Sequence, residues 1–389
     1  MTKTKLETEL HGGYASFRFC GTVSVNEDTF PKEDTTSNSG WKYRRASFPV
    51  KISDSNSLYV QMMGGRASTN PVVYVRNKEG QPIQLKWDMR NNADVQKNVD
   101  PNDFIVIRIE EDDNGKLLAK TFVSEVDAID YLADHLSDGT KVHIGGNVEY
   151  QRYNGEVSRS FNVNRITLAK EETKPYALMQ QTYLVDAHAL PHKWEKTLEE
   201  EHQLKLNVFV PQYIGKENGK TIKRTLALPQ QITFKADPND LEAKIKAVEK
   251  MFKVDKKIVR EIVLQNKVVY GYEQSTGNIE ITPELQELID LHIMTEEQIK
   301  EEATVTGKKV DETVFDHPVI RKDGDSSKLF GFDRYAPEAL VIPDDNEAIE
   351  SGEEKVFEED NVFEEDNVSN DGAGQSDEDD PFADDELFS

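Results

Sequence analysis

Apolar and polar residues alternate with a period of two through much of the first 170 positions, and this leaves little choice of local structure. In 14–25, Ala15, Phe17, Phe19, Val23 and Val25 share one side, while Tyr14, Ser16, Arg18 and Thr22 share the other. Successive side chains of an extended chain point to opposite faces, so the pattern predicts a half-buried β-strand, with Gly21 as a candidate bulge. After a polar stretch, 26–40, a second strand is predicted over 41–52. Ala46, Phe48, Val50 and Ile52 face inward there; Trp41, Tyr43, Arg45, Ser47 and Lys51 face outward. A third strand, 58–63, ends at Gly64-Gly65. Two hairpins are expected next, 72–76 with 83–87 through Asn77-Lys78-Glu79-Gly80 and 104–109 with 116–122 through Asp113-Asn114-Gly115.

Ser124-Glu125-Val126-Asp127 opens a helix in the manner of a capping box, and Val126, Ile129, Ala133 and Leu136 form its apolar stripe. The helix stops at Asp138-Gly139. Strands follow at Val142, Ile144 and Val148 and at 161–168, around a basic turn at Arg152-Tyr153-Asn154-Gly155. Three strands, an insertion, a helix and two further strands match the plan of the five-stranded OB barrel. The run Asp138-Gly139-Thr140-Lys141-Val142-His143-Ile144-Gly145-Gly146-Asn147-Val148, with Asn164-Arg165-Ile166-Thr167-Leu168, resembles the closing strands of single-stranded DNA-binding proteins. In that family a Gly-x-x-Val-x-Ile/Val-x-Gly strand leads to a basic hairpin and a final strand rich in Val and Ile.

The expected fold class is mainly β with added helices (α+β). An N-terminal OB-fold domain with inserted hairpins occupies 13–170, and 171–175 reads as a linker. A second β/α domain, 176–303, begins with strands at 182–187, 204–210 and 221–228. It continues with helical stripes, Leu241, Ile245, Val248 and Phe252, then Ile258, Val259, Ile262 and Val263. A short strand at 268–272 and helices near 283–292 and 295–303 complete it. Either a divergent OB unit or an unrelated α+β domain fits this pattern. Mixed loops are expected over 304–343 and a disordered acidic tail over 344–389.

Net charge separates the tail from the body. The whole chain carries −26, and 344–389 alone holds 20 acidic residues against the single base Lys355, leaving −7 for the rest. Such a segment cannot bury enough apolar surface to offset its own repulsion. Twice over, at 356–361 and 362–367, it reads Val-Phe-Glu-Glu-Asp-Asn. The lone Cys20 excludes internal disulfides and Cys-rich zinc sites and fits a reducing cytoplasm, the host's if the chain is phage-encoded. No apolar leader and no run of 18 apolar residues is present, so no membrane association is expected. His188 and His192 have helical ligand spacing, but Pro191 lies between them and no third ligand is in view, so no metal is expected. Neither a P-loop nor a Gly-x-Ser-x-Gly elbow occurs, and the chain reads as a non-enzyme without cofactors.

Aromatics interleaved with cations on one strand face suit an unpaired polynucleotide: bases stack on rings, and Lys and Arg follow the phosphates. The candidate contacts are Arg18, Trp41, Lys42, Tyr43, Arg44, Arg45, Lys51 and Tyr59, joined from the insertion by Arg66, Arg76, Lys86, Trp87 and Arg90 and from the closing hairpin by Arg152, Tyr153 and Arg159. The competing readings are that Trp41 and Tyr43 cover a second core, that Trp87 anchors its hairpin, and that Arg152 and Tyr153 form a solvated turn. The tail tip, Asp379, Asp380, Phe382, Asp384, Asp385, Glu386, Leu387 and Phe388, resembles the acidic, aromatic-tipped tails of bacterial and phage single-stranded DNA-binding proteins, although Ser389 follows the last aromatic. The resemblance implies a protein that coats and protects single-stranded DNA in phage replication, recombination and repair. It also implies that the tail recruits polymerase, primase, helicase or recombination proteins, and self-association is compatible with the second domain. The alternative is a virion or assembly protein whose OB-like domain grips another protein.

Overall fold

The computed structural model describes residues 6–153, 155–217, 220–275, 305–323, 326–329 and 331–342, with five isolated positions between 286 and 295. Apart from those five positions, the expected helices over 283–292 and 295–303 lie outside the described residues, as do the acidic tail and its aromatic tip. The described chain is mainly β with several helices.

In the first half, β1 (Ala15–Val23), β2 (Thr35–Thr36), β3 (Lys42–Ser53) and β4 (Asn56–Arg66) come before the insertion. The insertion holds β5 (Val72–Arg76), β6 (Pro82–Lys86), the short α1 (Ala93–Gln96), β7 (Ile105–Glu111) and β8 (Leu117–Phe122). Then come α2 (Glu125–His135), β9 (Lys141–Tyr153) and β10 (Glu156–Leu168). The pairing returns on itself. β1 lies against β9, β9 against β10, β10 parallel to β4 at Asn162 and Gln61, β4 against β3, and β3 against β1 at Val50 and Val23. Inside this cycle Phe17, Phe19, Phe48, Val60, Ile144 and Val163 are buried, and Phe161 meets Phe17 and Phe19 edge-on at 5.1 and 4.9 Å. α2 forms as expected: the Ser124 hydroxyl accepts from the Val126 amide at 3.2 Å, and Val126, Ala128, Ile129 and Leu132 are buried. Gly21 is not a bulge. A Cβ there would stand 2.4 Å from the Lys51 carbonyl, so glycine is needed where β3 presses against β1.

The second half repeats this order. Its elements are β11 (Tyr176–Val185), α3 (Trp194–Glu201), β12 (Gln203–Glu217), β13 (Lys220–Lys235), α4 (Leu241–Phe252), β14 (Val259–Ser275) and β15 (Val305–Pro318), then β16 (Ile320–Asp323), β17 (Ser326–Leu329) and β18 (Gly331–Tyr335). β11 pairs with β14, β14 with β15, β15 parallel to β13 at Val314 and Thr233, β13 with β12, and β12 with β11 at Phe209 and Leu184. β1 and β11, the opening strands of the two halves, pair antiparallel from Ala15–Gln181 to Cys20–Tyr176. Antiparallel pairing of equivalent strands is the geometry of a local two-fold.

Two expectations for this half are corrected. The stripe Ile258, Val259, Ile262 and Val263 belongs to no helix; β14 runs from Val259 without a break through the expected short strand at 268–272. Ile262, Val263, Leu264, Gln265 and Asn266 are buried in succession, because neighbours cover both faces of the strand. A short apolar run of this kind carries no readable period, and its β-branched residues favour extension. The region 304–343 is not loops either, since β15 to β18 lie in it.

Candidate nucleic-acid interface

The outward face of β3 and β4 is built by alternation alone. Because Ala46, Phe48 and Val50 point inward, Tyr43, Arg45, Ser47 and Lys51 must point out, and the register sets Tyr59 opposite Pro49, Gln61 opposite Ser47 and Met63 opposite Arg45. Tyr59 is 60% exposed and Met63 42%. Trp41 and Tyr43 stack on each other, ring centres 5.3 Å apart and planes 15° from parallel, and both are half-buried. Between these aromatic ends runs a polar ladder. Arg45 donates to Gln61 Oε1 at 2.7 Å, Gln61 to Asn162 Oδ1 at 2.8 Å, and Asn162 to Glu149 Oε2 at 2.8 Å. A shallow depression lined by Ser24, Thr29, Ser47, Pro49 and Tyr59 adjoins it. Lys42 is exposed; Lys51 is exposed and pairs with Asp54 at 2.7 Å. Arg18 is half-buried on β1.

Most of the other expected cations meet carboxylates. Arg44 binds Asp34 at 2.8 Å and also Asp130 on α2; Arg66 binds Asp34 at 2.6 Å. Burial pushes the Asp34 carboxyl up, but the two guanidiniums outweigh it and hold the group below its ordinary value. Arg76 pairs with Asp103 at 2.6 Å, and that hydrogen bond raises the guanidinium's already high value. Arg152 pairs with Glu217, and Arg159 with Asp311 at 3.1 Å and the Thr313 hydroxyl at 2.7 Å. Arg152 and Arg159 therefore tie the first half to the second. Lys86 is exposed on β6, and Tyr153 is 69% exposed at the end of β9.

Trp87 differs most from its expected place. It is only 8% exposed, with the Arg90 guanidinium 4.0 Å and the Arg66 guanidinium 4.5 Å from its ring. Asp127 at 2.7 Å fixes Arg90 and Asp34 fixes Arg66. The ring anchors the insertion against α2, leaving no face for a base. Sequence reasoning passed over Gln61, Met63, Asn162 and Glu149. Strand alternation could have placed Gln61 and Met63 on the outward face, but the ladder across β4, β10 and β9 needed the pairing.

No family model matches this sequence, and no curated protein does. Two solved structures of the single-stranded DNA-binding protein from Thermus aquaticus, an internal-deletion mutant and the wild type, are similar at a TM-score of 0.30, with 8% and 7% identity. They cover 67% of this chain, and 88% and 86% of their own chains respectively. So distant a likeness says nothing about the ligand.

The corresponding face of the second half is partly covered. Phe209 on β12 and Ala227 on β13 point away from the main core and pack with Leu184, Val259, Tyr335 and Ala339, with Leu10 and Leu340 beside them. Tyr335 donates to Glu261 at 3.1 Å, and Arg334 reaches Glu7 at 3.1 Å. β18, the turn after it and the N-terminal segment thus cover Phe209 and Ala227, while Lys205, Asn207 and Gln231 on the same face stay exposed. Among the described residues no group of three His, Cys, Asp or Glu is placed to hold a metal, and no helix is long and apolar enough to cross a membrane.

Proposed function

We propose that this is a non-enzymatic single-stranded DNA-binding protein whose contact surface is the outward face of β3 and β4. The pairing order β1-β3-β4-β10-β9-β1, with β4 parallel to β10 and α2 between β4 and β9, is that of an OB barrel. The second half fits the same plan with α4 in place of α2. OB barrels bind oligonucleotides on the face of their second and third strands. Here that face offers Tyr59 and the Trp41–Tyr43 pair, and this observation carries the reading. Unpaired bases stack on such rings for about 1–3 kcal/mol each.

With six of the expected arginines in ion pairs, binding is led by stacking. For a short oligonucleotide, Lys42, Arg45 and Lys51 give a slope of log K against log salt of roughly −2. In this reading the protein coats single strands during phage replication, recombination or repair. The acidic tail recruits polymerase, primase or helicase through Phe382 and Phe388 and competes with DNA as a polyanion. Titration with poly(dT) should quench Trp41 fluorescence, and Trp41→Phe should remove most of the change. The same six ion pairs favour the rival reading, a protein-gripping assembly module; retention of no labelled oligonucleotide on a filter at any salt would decide for it.

A further inference from the structure

The β12–β13 hairpin carries three cations close together in sequence and register. Lys216 and Lys223 are exposed and Arg224 is half-buried, and among the described residues none of the three meets a carboxylate. The nearby acid, Glu217, is buried and bound to Arg152 of the β9–β10 hairpin, so it neutralises a different cation. The two hairpins are joined. Besides that ion pair, the Tyr150 amide donates to Gln212 at 3.2 Å, and Val157 and Ile222 pack on one core. Tyr153, the most exposed ring of the first half, follows Arg152 directly.

The backbone is also shaped at this spot. The register passes from Ile214–Arg224 to Lys216–Thr221, so Ile222 and Lys223 together oppose Gly215. Lys223 takes φ +48°, a left-handed conformation that glycine adopts far more readily. Bulges redirect side chains, and strained non-glycine residues gather at functional positions.

Resting on the reading of the β3–β4 face as a DNA contact, we infer that Lys216, Lys223 and Arg224, with Tyr153, form a second contact that takes the phosphates and a base of the same strand where it leaves that face. Cations held on a strand of fixed geometry and left without acids are free to displace counterions from a polynucleotide. The exposed phenol of Tyr153, next in sequence to the Arg152 that joins the two hairpins, supplies a stacking platform.

The test compares thymidine oligonucleotides of about 8 and about 35 residues, the shorter matched to a single OB-sized face. Their anisotropy is followed with the wild type and with the Lys216→Gln/Lys223→Gln/Arg224→Gln variant. The expected result is unchanged binding of the shorter oligonucleotide and loss on the longer one of about 10- to 100-fold near 0.1 M salt, its salt slope falling by roughly 2. Tyr153→Ala should weaken the longer one alone. Lys256→Gln/Lys257→Gln, at exposed lysines elsewhere, should change neither and controls for bulk charge. Equal losses on both oligonucleotides, or none on either, would overturn the inference while leaving the β3–β4 contact in place. Failure of the wild type to bind either would remove that contact and this inference together.

Discussion

Tyr59 and Asp34 show how differently two side chains of the first half are used. Tyr59 packs against little, so its ring is available to a ligand at no cost to the fold. Tyr59→Ala should lower affinity for oligo(dT) by about 1–3 kcal/mol, roughly 5- to 150-fold, with an unchanged melting temperature; titration and a thermal melt measure the two. Asp34 does the opposite, joining Arg44 to Arg66 with a carboxyl held below its ordinary value of 3.8. Its folded-state value is depressed, so the stabilisation is complete above the unfolded-state value and is lost as pH falls through the folded one. Asp34→Asn should therefore destabilise at neutral pH, and the gap from wild type should narrow below about pH 4. Melting curves from pH 7 to pH 3 would show this; a constant gap would rule the linkage out.

At the scale of elements, the insertion between β4 and α2 is seated by one ring. Trp87 lies between two guanidiniums, each fixed by a carboxylate from outside the β5–β6 hairpin, so the stack links the hairpin to the loop before β3 and to α2. Trp87→Ala should cost about 3–5 kcal/mol and increase hydrogen exchange in β5 and β6, while the poly(dT)-induced quench, which comes from Trp41, persists. Loss of the quench with the fold intact would return Trp87 to the DNA contact. Here the sequence could be read only in part. An indole among Lys86, Arg66 and Arg90 has the composition of a stacking site whether or not its faces are filled, and only the position of Asp34 and Asp127 decides.

At the scale of the molecule, two halves of like strand order share an antiparallel β1–β11 junction but present unlike faces. The first is open; β18 and the N-terminal segment cover part of the second. One chain thus offers an aromatic face on β3 and β4 and a basic β12–β13 hairpin. The body carries only −7 of the total charge, whereas the segment 344–389 carries −19. Removing that segment should tighten DNA binding at low salt, with the difference vanishing as salt rises, because polyanion competition is screened within about 10 Å at 0.1 M. Weaker binding after truncation would contradict the competition.

The sequence alone determined the strands around Phe17, Phe48 and Val60, the Ser124-capped helix and the outward direction of Tyr43, Arg45 and Lys51. Alternation, helical period and capping are local properties, written within a few residues of where they act. Only the tertiary structure decided which cations were neutralised, where Trp87 went, that Val259 begins a strand, and that one face was partly covered. Arg44 meets Asp130 at a separation of 86 residues and Arg159 meets Asp311 at 152. No period in the chain records partners so far apart, because charge pairing and burial follow from where the backbone returns.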